Sequence, residues 1–287
     1  AGTDGALPVV DSIEGVVVHT ASSPAGEFEC SNELFNRTRT LVRWAQRSNL
    51  MSLITDCPHR EKLGWLEQYH LNGPALRYEF DLTRLFAKTF GDMADAQTPV
   101  GLVPDIAPEF VIFSHAFRDS PEWGSAIILA AWQHYEFTGD DTPLRRYYGA
   151  MQRYVAYLGS KSDKDILSYG LGDWYDIGPK PPGISQLTPI GLTATAVYFE
   201  DVKTLGAIAT MLGKPDDARV FAGRADEIRL AFNRKFFDAG KGIYSTGSQC
   251  ANAIALVFDL VAPADRPRVV NALVEDVRTR GLTAGDV

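Results

Sequence analysis

From about residue 31 onward, helix-length segments with apolar periodicity alternate with connections of two very different lengths. The helical spacing predicts helices over 31–49, 65–79, 81–96, 121–138, 143–158, 191–212, 215–235, 249–260 and 264–280. In the first of these, Leu34, Phe35, Thr38, Leu41, Val42 and Ala45 fall on one face, behind Ser31 as N-cap. The breaks at 79–81, 138–141, 213–214 and 261–263 are short, with Gly after a helix and Pro just inside the next one. The connections 50–64, 97–120, 159–190 and 236–248 are long and rich in Gly, Pro and aromatic residues. In an array of antiparallel helices, successive connections alternate between two ends, so the long ones gather at one end. Long connections on a helical scaffold usually carry function, and the pattern therefore predicts one active face. A bundle, a solenoid and a closed toroid all satisfy it. The lack of exact internal repetition argues against a regular solenoid.

Residues 1–29 differ from the rest. The stretch 13–21 is rich in β-branched residues, is flanked by Gly, Pro and Ser, and reads as a strand. The chain begins at Ala1 without an initiator methionine, which reads as removal of whatever preceded it. A net charge of −8 argues against nucleic acid or an anionic membrane as partner, and no apolar run is long enough to span a bilayer. Cys30, Cys57 and Cys250 are too few and too scattered for a disulfide framework or a zinc site. Cys57 reads as a packed small residue. No spacing of His, Cys or Asp predicts a catalytic metal, and no cofactor is expected.

The densest chemistry lies at residues 55–70. Asp56, Glu61 and Glu67, with His59, Arg60 and Trp65, occupy a short stretch that follows the apolar run 50–54. Carboxylates and guanidinium groups are seldom buried unless paired. The mixture suits a sugar cleft, where acids hold hydroxyls and transfer protons while an aromatic face covers a ring. It equally suits a surface loop held by an Arg60–Glu61 or Arg60–Asp56 pair. The spacing Asp56-Cys57-Pro58-x-Arg60-Glu61-x-x-Gly64-Trp65 resembles the signature of the glycoside hydrolase family 78 α-L-rhamnosidases. Further segments match in order: Ala94-x-x-Gln97 with 101–104, Pro121-x-Trp123-Gly124, Gly172-Asp173-Trp174, 212–214 and 282–286. The resemblance covers about residue 28 to the end. It departs at Gln68, where many members carry a third motif acid and this chain has Glu67 one position earlier.

The resemblance implies an all-α (α/α)6 barrel of two concentric helical rings, incomplete at the C-terminus over 30–287, with 1–29 the remnant of a preceding β-sandwich domain or a linker to it. It also implies inverting hydrolysis of terminal α-L-rhamnosides, in which one carboxyl protonates the leaving oxygen and a second activates water. Glu61 matches the general acid. Asp56 would hold sugar hydroxyls, and Arg60 would orient an acid through a bidentate bond or clamp the loop. Trp65, Trp123, Asp173 and Trp174 complete the expected binding set, with core packing the alternative for each tryptophan. The water-activating base is expected beyond residue 287, with Glu109, Glu122 and Asp173 as candidates within the chain. On that count the isolated chain is expected to be inactive.

Trp132, His134, Tyr135 and Phe137 read as core or helix surface, and residues 145–148 as a solvated helix face. His70 could reach the cleft but reads as structural. The expected partner is a carbohydrate, an L-rhamnoside. Two other functions fit the pattern: another helical-toroid carbohydrate enzyme, such as a hydrolase for a different sugar or a polysaccharide lyase, and a sugar-binding module without catalysis. The acidic motifs disfavour a lyase, which would want a basic cleft.

Overall fold

The computed structural model of the protein describes residues 9–287. Eleven α-helices occur among them: α1 (Glu33–Asn49), α2 (Glu67–Leu71), α3 (Gly73–Glu79), α4 (Thr83–Ala96), α5 (Pro121–Gly124), α6 (Ala126–Thr138), α7 (Thr142–Lys161), α8 (Ile190–Met211), α9 (Pro215–Phe236), α10 (Gln249–Val257) and α11 (Arg266–Arg280). A two-stranded antiparallel hairpin, β1 (Phe237–Asp238) and β2 (Ile243–Tyr244), precedes α10, with Phe237 opposite Tyr244.

A helix that is apolar on every side has to be enclosed, and α6 and α8 are of this kind. Residues 126–131 of α6 are all buried, as are fourteen of the 22 residues of α8. Helices α2, α6, α8 and α10 neighbour one another as an inner layer. The flanking helices are amphipathic. Helix α4 presents Leu85, Phe86, Thr89, Phe90 and Met93 to α6, and α9 buries Ala225, Ile228, Ala231, Phe232 and Phe236 along α8. Helix α7 packs on both α6 and α8, and α11 on α10. Inner and outer helices thus pair as hairpins, the arrangement expected of a helical toroid.

Local chemistry sets the boundaries. Pro143 and Pro215 sit in the first turns of α7 and α9, where their missing N–H costs nothing. Asp216 and Asp217 open α9 and Arg234 and Lys235 close it, which complements the helix dipole. Gly139 ends α6 in the left-handed region, at φ 73°.

Several boundaries differ from expectation. The predicted helix over 65–79 starts only at Glu67, because Trp65 forms an extended bridge with Ile106. It then divides at Asn72, ahead of Pro74. The helix over 121–138 divides at Ser125, whose hydroxyl donates to the buried Asp201 carboxylate at 2.5 Å. Helix α7 runs on to Lys161, whereas α10 stops at Val257. The N-cap of α1 is Asn32 rather than Ser31, its side chain accepting from the Leu34 N–H at 3.0 Å.

Part of the expected N-terminal remnant, residues 1–8, lies outside the described residues. The expected strand over 13–21 is not a strand: no ladder partner lies beside it among the described residues, and Ile13, Val16, Val17 and Val18 are exposed. β-branching favours an extended chain but cannot make a sheet without a second strand. The chain is first tied to the helices at Thr20, whose N–H donates to Leu50 O at 2.6 Å, and at Pro24, bridged to Phe80. Helix α1 is held by its polar side, through Arg39 on Glu79. Its apolar stripe of Leu34, Phe35, Leu41 and Val42 is exposed.

The long connections gather at one end. Leu66 N–H donates to Asp105 O, Leu171 N–H to the Ser120 hydroxyl, and the Thr246 hydroxyl to Leu187 O, at 2.7–2.9 Å. Gly124 allows a close approach there. A Cβ at this position would lie 2.5 Å from the Tyr154 hydroxyl and 2.8 Å from Val103 O. Gly124→Ala is therefore expected to cost about 1–3 kcal/mol through overpacking. Urea unfolding measures this, and an unchanged midpoint would contradict the packing.

Candidate active site

Three of the long connections and the start of α2 converge on a cavity of about 630 Å3. Its polar wall comes from Asp56, Arg60, Glu61 and Glu67, and its aromatic wall from Trp65, Phe113, Phe117, Trp123, Trp174 and Tyr175.

The loop between Asp56 and Leu63 is closed by its own backbone. Asp56 N–H donates to Leu63 O at 3.1 Å, and Leu63 N–H donates to Asp56 Oδ1 at 3.2 Å. Lys62 turns the chain in the left-handed region, at φ 61°. The loop thereby carries His59, Arg60 and Glu61 outward. Glu61 is 39% exposed at its side chain, and its Oε2 accepts from the Trp65 indole N–H at 3.0 Å. Oε1 lies 3.8 Å from the Arg60 guanidinium, which is itself 79% exposed, so this pair is loose and solvent-screened. The indole thus fixes one carboxyl oxygen and leaves the other free.

Trp65 also organises the aromatic wall. Its ring stacks on Phe113 with centroids 5.3 Å apart, and meets Phe117 edge-on at 6.5 Å. Phe117 in turn meets the Trp174 ring edge-on at 5.5 Å. Four rings from three connections form one continuous apolar surface beside the carboxyl groups.

Buried acids support this cavity. Glu67 lines it yet is buried, and burial pushes its carboxyl up to about 8, aided by Asp286 and Asp56 and opposed by the Gln68 amide. Burial likewise raises Glu122 to about 7, against the hydrogen bond from the Thr193 hydroxyl at 2.6 Å. It raises Asp286 to about 7, with Asp173 adding to the effect. Asp105 and Asp201 are driven well above the usual carboxylate range by burial.

The structure distributes the sequence candidates unevenly. Asp56, Arg60, Glu61, Trp65, Trp123 and Trp174 all line the cavity. Asp173 does not. It is buried behind the wall, where Oδ1 accepts from the N–H groups of Gly285 and Val287 at 2.9 and 3.4 Å, anchoring the segment that carries Asp286. Neither of the other candidate bases lines the cavity: Glu109 is clamped by Arg118 at 2.6 and 3.1 Å, and Glu122 faces Thr193. The Arg60–Asp56 clamp does not form; the Leu63 N–H holds the Asp56 carboxylate instead. Cys57 is not packed away but lines the cavity, its Sγ accepting from the Glu61 N–H at 3.1 Å. His70 is structural: Nε2–H donates to Glu122 O at 2.7 Å, and burial lowers its pKa to about 4. His134 is buried against Arg77 and Phe86. Glu67 and the rings of Phe113 and Phe117 were not singled out as site residues. For Glu67 a signal existed: it stands next to Gln68, where the motif's acid is missing, and Gln68 does not line the cavity.

Among the described residues, no group of three or more His, Cys, Asp or Glu side chains is placed to hold a metal ion. Among the same residues, no helix is long and apolar enough to cross a membrane.

Residues 23–287 match the model of the bacterial alpha-L-rhamnosidase six-hairpin glycosidase domain. An alpha-L-rhamnosidase of Streptomyces avermitilis is 30% identical over 269 residues, covering 93% of this chain and 25% of the relative. One from Formosa agariphila is 31% identical over 293 residues, covering 94% and 30%. The solved alpha-L-rhamnosidase of Dictyoglumus thermophilum superposes with a TM-score of 0.89 at 34% identity, over 98% of this chain and 32% of that one. The Streptomyces avermitilis enzyme complexed with L-rhamnose superposes at 0.85 with 28% identity, over 93% and 25%. The chain therefore spans about a quarter to a third of the length of these relatives.

The raised carboxyl pKa values fix the sign of a pH effect. These groups are protonated in the folded protein and ionised in the unfolded chain once pH exceeds about 4–4.5. Their contribution to stability is complete below that pH and is lost as pH rises through about 7–8. The thermal midpoint should be more than about 5 °C higher at pH 5 than at pH 8.5. A midpoint that rises over this interval would contradict the protonated assignment.

Proposed function

The chain belongs to the bacterial alpha-L-rhamnosidase six-hairpin glycosidase family, and from that premise we propose that it forms the sugar-hydrolysing part of an inverting exo-α-L-rhamnosidase. In this reading, residues 30–287 contribute to the helical barrel and 1–29 lead in from a preceding β-sandwich domain. The observation that carries the proposal is the Glu61 carboxyl at the cavity wall, held through Oε2 by the Trp65 indole.

With Oε2 occupied by a donor, the transferable proton resides on Oε1, which is free to face the glycosidic oxygen. As the bond to the anomeric carbon breaks, Glu61 delivers this proton to the leaving oxygen. The aromatic surface of Trp65, Phe113, Phe117 and Trp174 takes the apolar ring face and C6 methyl of a deoxy sugar. Asp56, with Oδ2 not engaged by the loop backbone, accepts from sugar hydroxyls. Inversion requires a second carboxylate across the ring to deprotonate water. Of the cavity carboxyls, Asp56 closes its own loop and Glu67 is largely protonated at neutral pH, so neither is assigned that role.

Replacing the acid tests the assignment. In a form of the protein that includes its water-activating carboxylate, Glu61→Gln should lower kcat/KM on a rhamnoside with an alkyl leaving group by at least about 100-fold, and on an activated aryl rhamnoside by less than about 10-fold. Equal losses on the two substrates would assign Glu61 to binding rather than proton transfer. Binding of L-rhamnose without any turnover by that form would favour a sugar-binding module.

A further inference from the structure

We propose that Glu67 is a specificity-determining residue of the cavity, a neutral carboxyl whose O–H donates a hydrogen bond to a hydroxyl oxygen of the bound L-rhamnose unit. The inference rests on the rhamnoside reading above and adds to it a donor that the motif loop does not contain.

Three observations support it. Glu67 lines the same cavity as Glu61 and Trp65, although only 5% of it is exposed. Its two oxygens are unequal: Oε1 accepts from the Gln68 amide at 2.9 Å, whereas Oε2 is buried and has no partner in the protein. Gln68 is itself held by the Asn72 amide at 2.9 Å, so the Glu67 carboxyl is fixed by a short polar chain along α2. An unpartnered buried carboxyl oxygen at a cavity costs free energy until a ligand or water meets it.

The surroundings decide that it donates rather than accepts. The charges acting on Glu67 come from Asp56 on the motif loop, Asp105 on the 97–120 connection and Asp286 on the C-terminal segment, while Glu61 and the exposed His59 line the same cavity. Arg60 lines the same cavity but points to solvent. A sugar filling the cavity expels water and penalises an ionised Glu67 further. Binding therefore favours the protonated form, and by linkage affinity falls when the solution pH favours the ionised one. Gln68 fits this role, since its amide donates to Oε1 and leaves the proton on Oε2.

The test is a titration of the protein with L-rhamnose, read by tryptophan fluorescence from the cavity rings, between pH 6 and pH 9.5. The protein should bind about tenfold more weakly at pH 9.5 than at pH 6. Glu67→Gln keeps an N–H donor and cannot ionise, so its affinity should be near the pH 6 value and flat with pH. Glu67→Ala should bind about tenfold more weakly at every pH. If Glu67→Gln reproduces the pH dependence of the parent protein, another of the facing acids is responsible and the inference falls. Undiminished affinity in Glu67→Ala would overturn it as well. Failure of the parent protein to bind L-rhamnose at any pH would remove the rhamnoside reading itself, and the inference with it. Because Glu67→Gln is isosteric, it decides the question even if Glu67→Ala does not fold.

Discussion

Enclosure of helices that have no polar side is the constraint from which the rest of this architecture follows. Helices α6 and α8 bury most of their residues, so amphipathic helices must cover them on the outside and other inner helices must flank them. Their polar residues are then obliged to pair within the protein. Asp201 takes the Ser125 hydroxyl, and Thr193 donates to Glu122, both on the segment that opens toward the cavity. Packing in the barrel wall therefore determines where α5 sits, and α5 carries Trp123 into the site.

The carboxyl groups divide by environment into two kinds. Glu61 stands on an exposed loop, oriented by an indole N–H but still in contact with solvent. Glu67, Glu122, Asp105 and Asp286 lie behind it in surroundings that favour their neutral forms. Such a layer supplies hydrogen-bond donors beneath a site without placing several like charges next to one another.

Much of this was legible in the sequence, and the failures have physical causes. The alternation of short and long connections located the active end, because chain reversal in a helical array leaves few other options. The spacing of Asp56, Glu61 and Trp65 marked the loop that lines the cavity. Asp173 was misplaced because an acid beside two aromatics in a loop looks the same whether it faces the cavity or caps backbone N–H groups behind it; only the distant Gly285 and Val287 decide that. The strand over 13–21 failed because β-branching reports a preference for extension and not the presence of a partner. Glu67 was noted but not placed in the site, because burial, the property that sets it apart, depends on segments as distant in sequence as Asp286.

The central claim is that the cavity between the 56–63 loop and the Trp65–Trp174 aromatic wall holds an L-rhamnosyl unit with its anomeric oxygen at Glu61. A crystal structure of the protein soaked with L-rhamnose tests it most directly. The account predicts the anomeric oxygen within hydrogen-bonding distance of Glu61 Oε1 and the C6 methyl against the aromatic wall. Sugar bound in the separate cavity beside Arg118 and Lys161, or bound here with its anomeric carbon turned away from Glu61, would contradict it.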